Sequence, residues 1–254
     1  GAQVDLQDDF GNTALHYVVS DKSISSRIAN TLLKYLIKGL NEVEKLYLFN
    51  MKNKKGKVAL HLANLDKAPA KTLLEGGALV NVFDHERLTP LHQSVFYNRE
   101  CCPDYLIEKG ADKDARNVYG ETIFHYFLKV SSRITFKNIS KFINIFKYEV
   151  NAVTLKKETL LHYAVRYLKK KAFNHYIRCM IESGYEDSLK KQANMHNIEG
   201  ETPLHFVAHT YIEMFERFIK LIEIGSRPDI QNDHGDTPID LIKDQRIRYK
   251  LLGW

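Results

Sequence analysis

One short phrase, met seven times along 254 residues, constrains this chain more than any other feature. It reads Gly11-Asn-Thr-Ala-Leu-His16, Gly56-Lys-Val-Ala-Leu-His61, Leu88-Thr-Pro-Leu-His92 and Gly120-Glu-Thr-Ile-Phe-His125. It returns as Glu158-Thr-Leu-Leu-His162, Gly200-Glu-Thr-Pro-Leu-His205 and Gly235-Asp-Thr-Pro-Ile-Asp240. The final positions are 45, 31, 33, 37, 43 and 35 residues apart. A second phrase precedes the next copy at Gly77–Asn81, Gly110–Asp114 and, degraded, Gly225–Asp229. Self-similarity at such a period builds small units that bury apolar surface against their neighbours, not one globular core.

Each phrase has a local physical reading. A threonine at Thr13, Thr89, Thr122, Thr159, Thr202 and Thr237 can cap the orphan N–H groups of a helix, and proline after it suits the first helical position. Val58 stands in that place in the second copy, which predicts a loss of about 1 kcal/mol for its helix. The preceding glycine permits a positive φ in the turn. Arg87 and Lys157 replace it in two copies, so those turns are expected to be altered or strained. Leu161, Ala164, Val165 and Leu168 follow a helical period and mark the buried face of a first helix. Phe215, Phe218, Ile219, Leu221 and Ile222 mark a second.

The two phrases resemble the ankyrin repeat, and the resemblance covers essentially the whole chain. It implies an all-α solenoid of helix-turn-helix units joined by β-turn or hairpin loops, forming a single domain over 1–254. The implied units are the tail of a preceding repeat at 1–7, then 8–52, 53–83, 84–116, 117–153, 154–196 and 197–231, with a capping unit at 232–254. A polar last unit, with Asp240 in place of histidine and Arg246, Arg248 and Lys250 beside it, suits a terminal cap. Extra length falls around 41–49 and 185–192, where insertions are expected in loops that modify a binding face. The resemblance also gives His16, His61, His92, His125, His162 and His205 a structural duty. They hydrogen-bond near the turn and link adjacent repeats.

Catalytic and metal chemistry find little support. His205 and His209 have the spacing of a helical zinc pair, but no glutamate follows His205 as the zincin motif requires. Cys101 and Cys102 are adjacent and Cys179 is isolated, so all three read as packing residues in a reducing compartment. No phosphate loop, nucleophile elbow or kinase signature is present. The reading is therefore a non-enzyme without cofactor or metal. The +6 charge is dispersed over Lys52–Lys57, Lys156–Lys157 and Lys169–Lys171, the last cluster lying between two helices. Separate solvated loops argue against nucleic acid as the partner. No apolar run reaches the ~20 residues of a membrane span, and the first residues lack a signal-peptide pattern. A monomeric cytoplasmic or nuclear protein is expected.

Ankyrin proteins bind partners through turn tips and the concave face of the first helices. Carried over by position, the tips are Phe10, Glu86, Val118, Tyr119, Leu155, Lys156, Ile198 and His234. The first helices end in Ser20-Asp21, Leu65-Asp66, Phe96-Tyr97, Lys129-Val130, Arg166-Tyr167 and His209-Thr210. Phe96, Tyr97, Val118, Tyr119, Leu155, Arg166 and Tyr167 form the candidate partner-binding patch, rich in the residue types that dominate interfaces. The competing expectation is that some turn inward and pack beneath the insertions. The implied function is a protein–protein interaction scaffold or adaptor. Alternatives are the targeting module of a larger enzyme and an inhibitor of Rel-type transcription factors. A composition rich in Lys, Asn, Ile, Phe and Tyr fits an AT-rich genome, as in viral or bacterial effectors acting in host cells.

Overall fold

A computed structural model of the chain describes residues 3–21, 23–63, 67–96, 102–130, 136–209 and 214–253. It divides into two units, residues 1–118 and 119–254, each built from the same local device. The first holds α1 (Ala14–Ser20), α2 (Ser26–Leu36), α3 (Glu42–Asn50), α4 (Ala59–Leu62), α5 (Lys67–Glu75), α6 (Pro90–Phe96) and α7 (Cys102–Glu108). The second holds α8 (Ile123–Val130), α9 (Phe136–Ile145), α10 (Leu160–Tyr167), α11 (Lys170–Glu182), α12 (Glu186–Ala193), α13 (Pro203–Ala208), α14 (Met214–Glu223) and α15 (Gln245–Leu252).

The phrase sets the start of each first helix. Thr159 Oγ1 lies 2.8 Å from His162 Nδ1, and the Thr159 N–H donates to the same nitrogen at 3.1 Å. Thr13 with His16 and Thr202 with His205 repeat both contacts. The accepting Nδ1 leaves the proton on Nε2, which reaches the next repeat: Lys57 O from His16, Leu88 O from His61, Glu201 O from His162 and Asp236 O from His205. The linking role implied for these histidines is thus visible. Val58 offers only its backbone N–H to His61, and α4 is the shortest α-helix among the described residues, at four residues. Asp240 takes over the nitrogen's half of the contact, accepting from Thr237 Oγ1 at 2.6 Å.

Ahead of five of the phrases an Asx side chain ties the turn, and in the fifth copy Thr154 stands there, its hydroxyl accepting from the Glu158 N–H at 3.2 Å. Asp8, Asn53, Asp84, Asn197 and Asn232 each accept from the N–H groups two and four residues on. Arg87 and Lys157 keep the backbone of this turn, with φ of 57° and 58° and the usual closing bonds, Arg87 N–H to Asp84 O and Lys157 N–H to Thr154 O. Of the two expected outcomes, altered or strained, the second holds: the backbone conformation survives, and with it the left-handed strain of a Cβ-bearing residue. At Gly120 the glycine has a second reason, since a Cβ would come within 2.8 Å of the Leu155 nitrogen.

First helices stack on first helices and second on second within each unit. In residues 1–118, α1 packs on α4 and α4 on α6, while α2 packs on α5. In residues 119–254, α8, α10 and α13 form one row, and α9 packs on α11. Phe124, Phe127, Phe142, Phe146 and Tyr176 fill the core of the second unit, with Phe127 and Phe142 stacked at 3.8 Å. Among the described residues only an isolated bridge, Val153 to Thr159, has strand character.

Both insertions are helices, not loops, and this corrects the sequence expectation. α3 buries Leu48 and Phe49. α12 buries Leu189, Gln192 and Ala193 and contacts α10, α11 and α13. Gln192 accepts from the Leu161 N–H at 3.1 Å and donates to Val150 O at 3.0 Å, so the insertion is pinned to the stack. Lys170 and Lys171 likewise belong to the first turn of α11, with Lys169 at its N-cap, and not to a loop between helices.

Candidate protein-binding surface

The residue before the motif threonine builds the most distinctive feature of the second unit. Glu121, Glu158 and Glu201 occupy that position in three successive copies, and each reaches eight residues forward to the end of its first helix. Glu121 pairs with Lys129 at 2.7 Å, Glu158 with Arg166 at 2.8 Å and Glu201 with His209 at 3.1 Å. Glu121 and Glu158 are buried, while their cationic partners are part exposed. Such carboxylates are tolerable only because they are paired.

Glu121 also accepts from the Tyr163 hydroxyl at 2.7 Å, and burial with this bond raises the Tyr163 pKa. Arg166 engages Glu158 through both terminal nitrogens and lies 4.2 Å from the Phe206 ring centre and 5.9 Å from that of Tyr167. Burial opposes its charge, yet the Glu158 bonds outweigh that and hold its pKa above the ordinary value. Lys129 sits 5.1 Å over the Tyr119 ring. The result is a row of fixed cations backed by aromatic faces.

The turn tips flank this row. Backbone bonds run from tip to tip, Leu155 N–H to Tyr119 O and Ile198 N–H to Lys156 O. Tyr119, Leu155 and Ile198 are 57%, 72% and 50% exposed. Tyr119, Leu155, Arg166 and Tyr167 of the candidate patch thus lie together on one face of the second unit. Val118 is exposed in the first unit, Phe96 ends α6, and Tyr97 lies outside the described residues. Thr13, Thr89, Thr122, Thr159 and Thr202 and the six motif histidines are buried; Thr237 is half-buried. Of the remaining sequence candidates, Leu65, Asp66, Thr210 and Cys101 also lie outside the described residues.

Burial disfavours the imidazolium of the motif histidines, taking His61 to about 4 and His162 to about 3, with His16 and His205 also lowered. Both ring nitrogens of His205 are engaged, which leaves it no lone pair for a metal beside His209. Cys179 is buried, and burial raises its pKa to about 11, so a reactive thiolate is disfavoured there.

Besides the glutamate pairs, three features escaped the sequence reading. Asn50, Asn81 and Asn194 each clamp the following repeat, donating to Gly77 O, Gly110 O and Gly225 O and accepting from an N–H two residues beyond. Asn81 closes the second phrase, so its recurrence was the available signal. Arg217 inserts from α14 and donates to Val165 O and Leu168 O at 2.7 and 2.6 Å, closing the end of α10; nothing in the sequence announced it. In the first unit, α2 and α3 expose Ile28, Leu32 and Tyr35, and Val43, Leu46 and Tyr47.

Comparison with known proteins agrees with these features. The family model for ankyrin repeats (three copies) matches residues 23–117. An ankyrin repeat protein of Acanthamoeba polyphaga mimivirus is 24% identical over 99% of the chain, which spans only 38% of that relative's length. Among solved structures, the human ASB11 ankyrin repeat domain superposes with a TM-score of 0.67 at 24% identity, covering 95% of this chain and 97% of that one. A second similar structure is the complex of a predatory endopeptidase with an immunity protein from Bdellovibrio bacteriovorus. Its TM-score is 0.57 at 20% identity, over 80% of this chain and 98% of that chain. No helix among the described residues is long and apolar enough to cross a membrane. From the repeated phrase, the threonine–histidine caps, the stacked helix pairs and these matches, the chain has the all-helical ankyrin-repeat fold, and residues 23–117 match the ankyrin-repeat family.

Proposed function

We propose that the chain is a protein-recognition scaffold that holds its partner on the turn tips and first-helix ends of residues 119–254, without catalysing a reaction itself. The observation that carries this is the juxtaposition of exposed Tyr119, Leu155 and Ile198 with cations fixed by buried carboxylates. Exposed apolar side chains on a backbone-bonded frame lose little entropy on binding, and a preorganised arginine is a typical interface anchor. The immunity protein in one similar structure is found in a protein complex, which is in keeping with this reading. The mimivirus relative and the Lys-, Asn- and Ile-rich composition favour a factor of viral or bacterial type acting in the reducing interior of a host cell. The chain's 38% share of that relative equally suits a targeting module within a longer polypeptide.

A photo-crosslinking residue at position 155 tests the assignment in a eukaryotic lysate. The expected result is a discrete crosslinked protein from position 155 and none from position 178, on the exposed side of α11. Crosslinks of equal yield from both positions, or none from either, would overturn it.

A further inference from the structure

The surface just described also constrains the chemistry of what it holds. Of the six surplus positive charges, five fall in residues 119–254, which carry 21 Lys and Arg against 16 Asp and Glu. Glu121 and Glu158 are turned inward to Lys129 and Arg166, so they present no carboxylate to an approaching ligand. Lys156 and Lys157 stand exposed at the tip between Tyr119 and Ile198. Arg166 directs two terminal N–H groups at Glu158 and, with five donors in its fork, retains others for a second acceptor. Further along the same row the sign reverses, with Glu199 and Asp233 exposed at the next tips. The binding face therefore has a basic, aromatic end and an acidic end.

Its geometry is linear. Tip-to-tip main-chain bonds set the row, and packed helices recur every ~8–10 Å. Three residues of an extended polyproline-II chain cover about the same distance at roughly 3.1 Å each, and its three residues per turn bring every third side chain to one face. Apolar side chains three residues apart can therefore rest on successive tips, with carboxylates between them reaching the lysines.

We propose, resting on the protein-recognition reading above, that Tyr119, Leu155, Lys156, Arg166, Tyr167 and Ile198 receive an extended acidic–aliphatic segment of a partner protein. Its carboxylates meet Lys156 and Arg166, and its apolar side chains lie on Tyr119, Leu155 and Ile198. The segment runs in one direction only, with its acidic residues toward Tyr119 and away from Glu199.

Three fluorescein-labelled peptides of about 12 residues test this with the full chain, a length that spans about four tips. All carry leucine at every third position; the others are Glu, Gln or Lys. The Glu peptide is expected to bind at least about tenfold more tightly than the Gln peptide, a difference of about 1.4 kcal/mol. The Lys peptide is expected not to bind. Raising the ionic strength from about 0.05 M to about 0.5 M should weaken the Glu peptide. Lys156→Glu and Leu155→Asp should each weaken it about tenfold while leaving the melting temperature unchanged. Equal binding of the Gln or Lys peptide, insensitivity to Lys156→Glu, or displacement by a duplex oligonucleotide would overturn the proposal. If a protein crosslinks at position 155 while the acidic peptide does not bind, the chemistry falls and recognition stands. Without either signal, both fall.

Discussion

At the residue scale, the two turn positions that carry a side chain where the other copies have glycine give the cleanest energetic test. Arg87 and Lys157 hold φ near +57° with the closing backbone bonds of the turn in place, and left-handed backbone costs a Cβ-bearing residue roughly 1–2 kcal/mol. Arg87→Gly and Lys157→Gly are each expected to stabilise the protein by about 0.5–1 kcal/mol, after the extra entropy of glycine in the unfolded chain. Urea unfolding should show a raised midpoint at constant slope; a lowered midpoint would contradict the strain. The motif histidines supply a second test. Burial lowers the pKa of His16, His61, His162 and His205, to about 4 at His61 and about 3 at His162. Once unfolded they titrate near 6.5. Below pH 6.5 the unfolded chain therefore binds more protons, and stability falls as pH falls. The slope reaches about 1.4 kcal/mol per pH unit per histidine until the folded pKa is approached. Unfolding midpoints unchanged between pH 7 and pH 5 would contradict this. The histidines' role was legible through the resemblance to the ankyrin repeat, which their recurrence at a fixed offset from a threonine carried. At the glycine replacements sequence shows which residue is disfavoured, and not whether the turn gives way or keeps its shape under strain, as it does at Arg87 and Lys157.

At the element scale, the first helices were legible from the phrase and the second from their apolar period, since both depend on local chemistry. The inserted segments were not. Glu42–Asn50 and Glu186–Ala193 lack the repeat phrase, and their helicity follows from where they dock. Gln192 shows the difficulty: its two bonds, to Leu161 and Val150, join residues 31 and 42 positions away. A polar side chain in an insertion reads as solvent-facing until the partner helices are in place. Gln192→Ala is expected to destabilise by about 1–3 kcal/mol, because the Leu161 N–H and Val150 carbonyl lose a buried partner. A loss below about 0.5 kcal/mol would mean that the insertion is an ornament on the stack. Arg217 makes the same point at the end of α10, where it closes two carbonyls that no local residue reaches. Arg217→Met, which keeps the stem and removes the donors, should cost about 2–4 kcal/mol in chemical unfolding. An unchanged unfolding midpoint would show that those carbonyls need no protein donor.

At the scale of the whole molecule, stacking was legible from seven copies of one phrase, and the choice of tips as the candidate surface followed from the family resemblance. The pairing of each pre-motif glutamate with a residue eight positions on was not, because it depends on a first helix of about two turns bringing both ends to one face. That pairing explains why Arg166 is held in place while Tyr167, 39% exposed, remains at the surface. Tyr119 and Leu155 stay exposed at the tips, so in these residues exposure prevails over packing beneath the insertions. The most direct test combines thermal melting with partner retention for Leu155→Asp and Tyr167→Ala, beside the wild-type chain. The account predicts melting within about 2 °C of wild type, as for surface changes of about 0.5 kcal/mol or less, together with loss of the partner crosslinked at position 155. A large fall in melting temperature, or full retention of that partner by both variants, would contradict it.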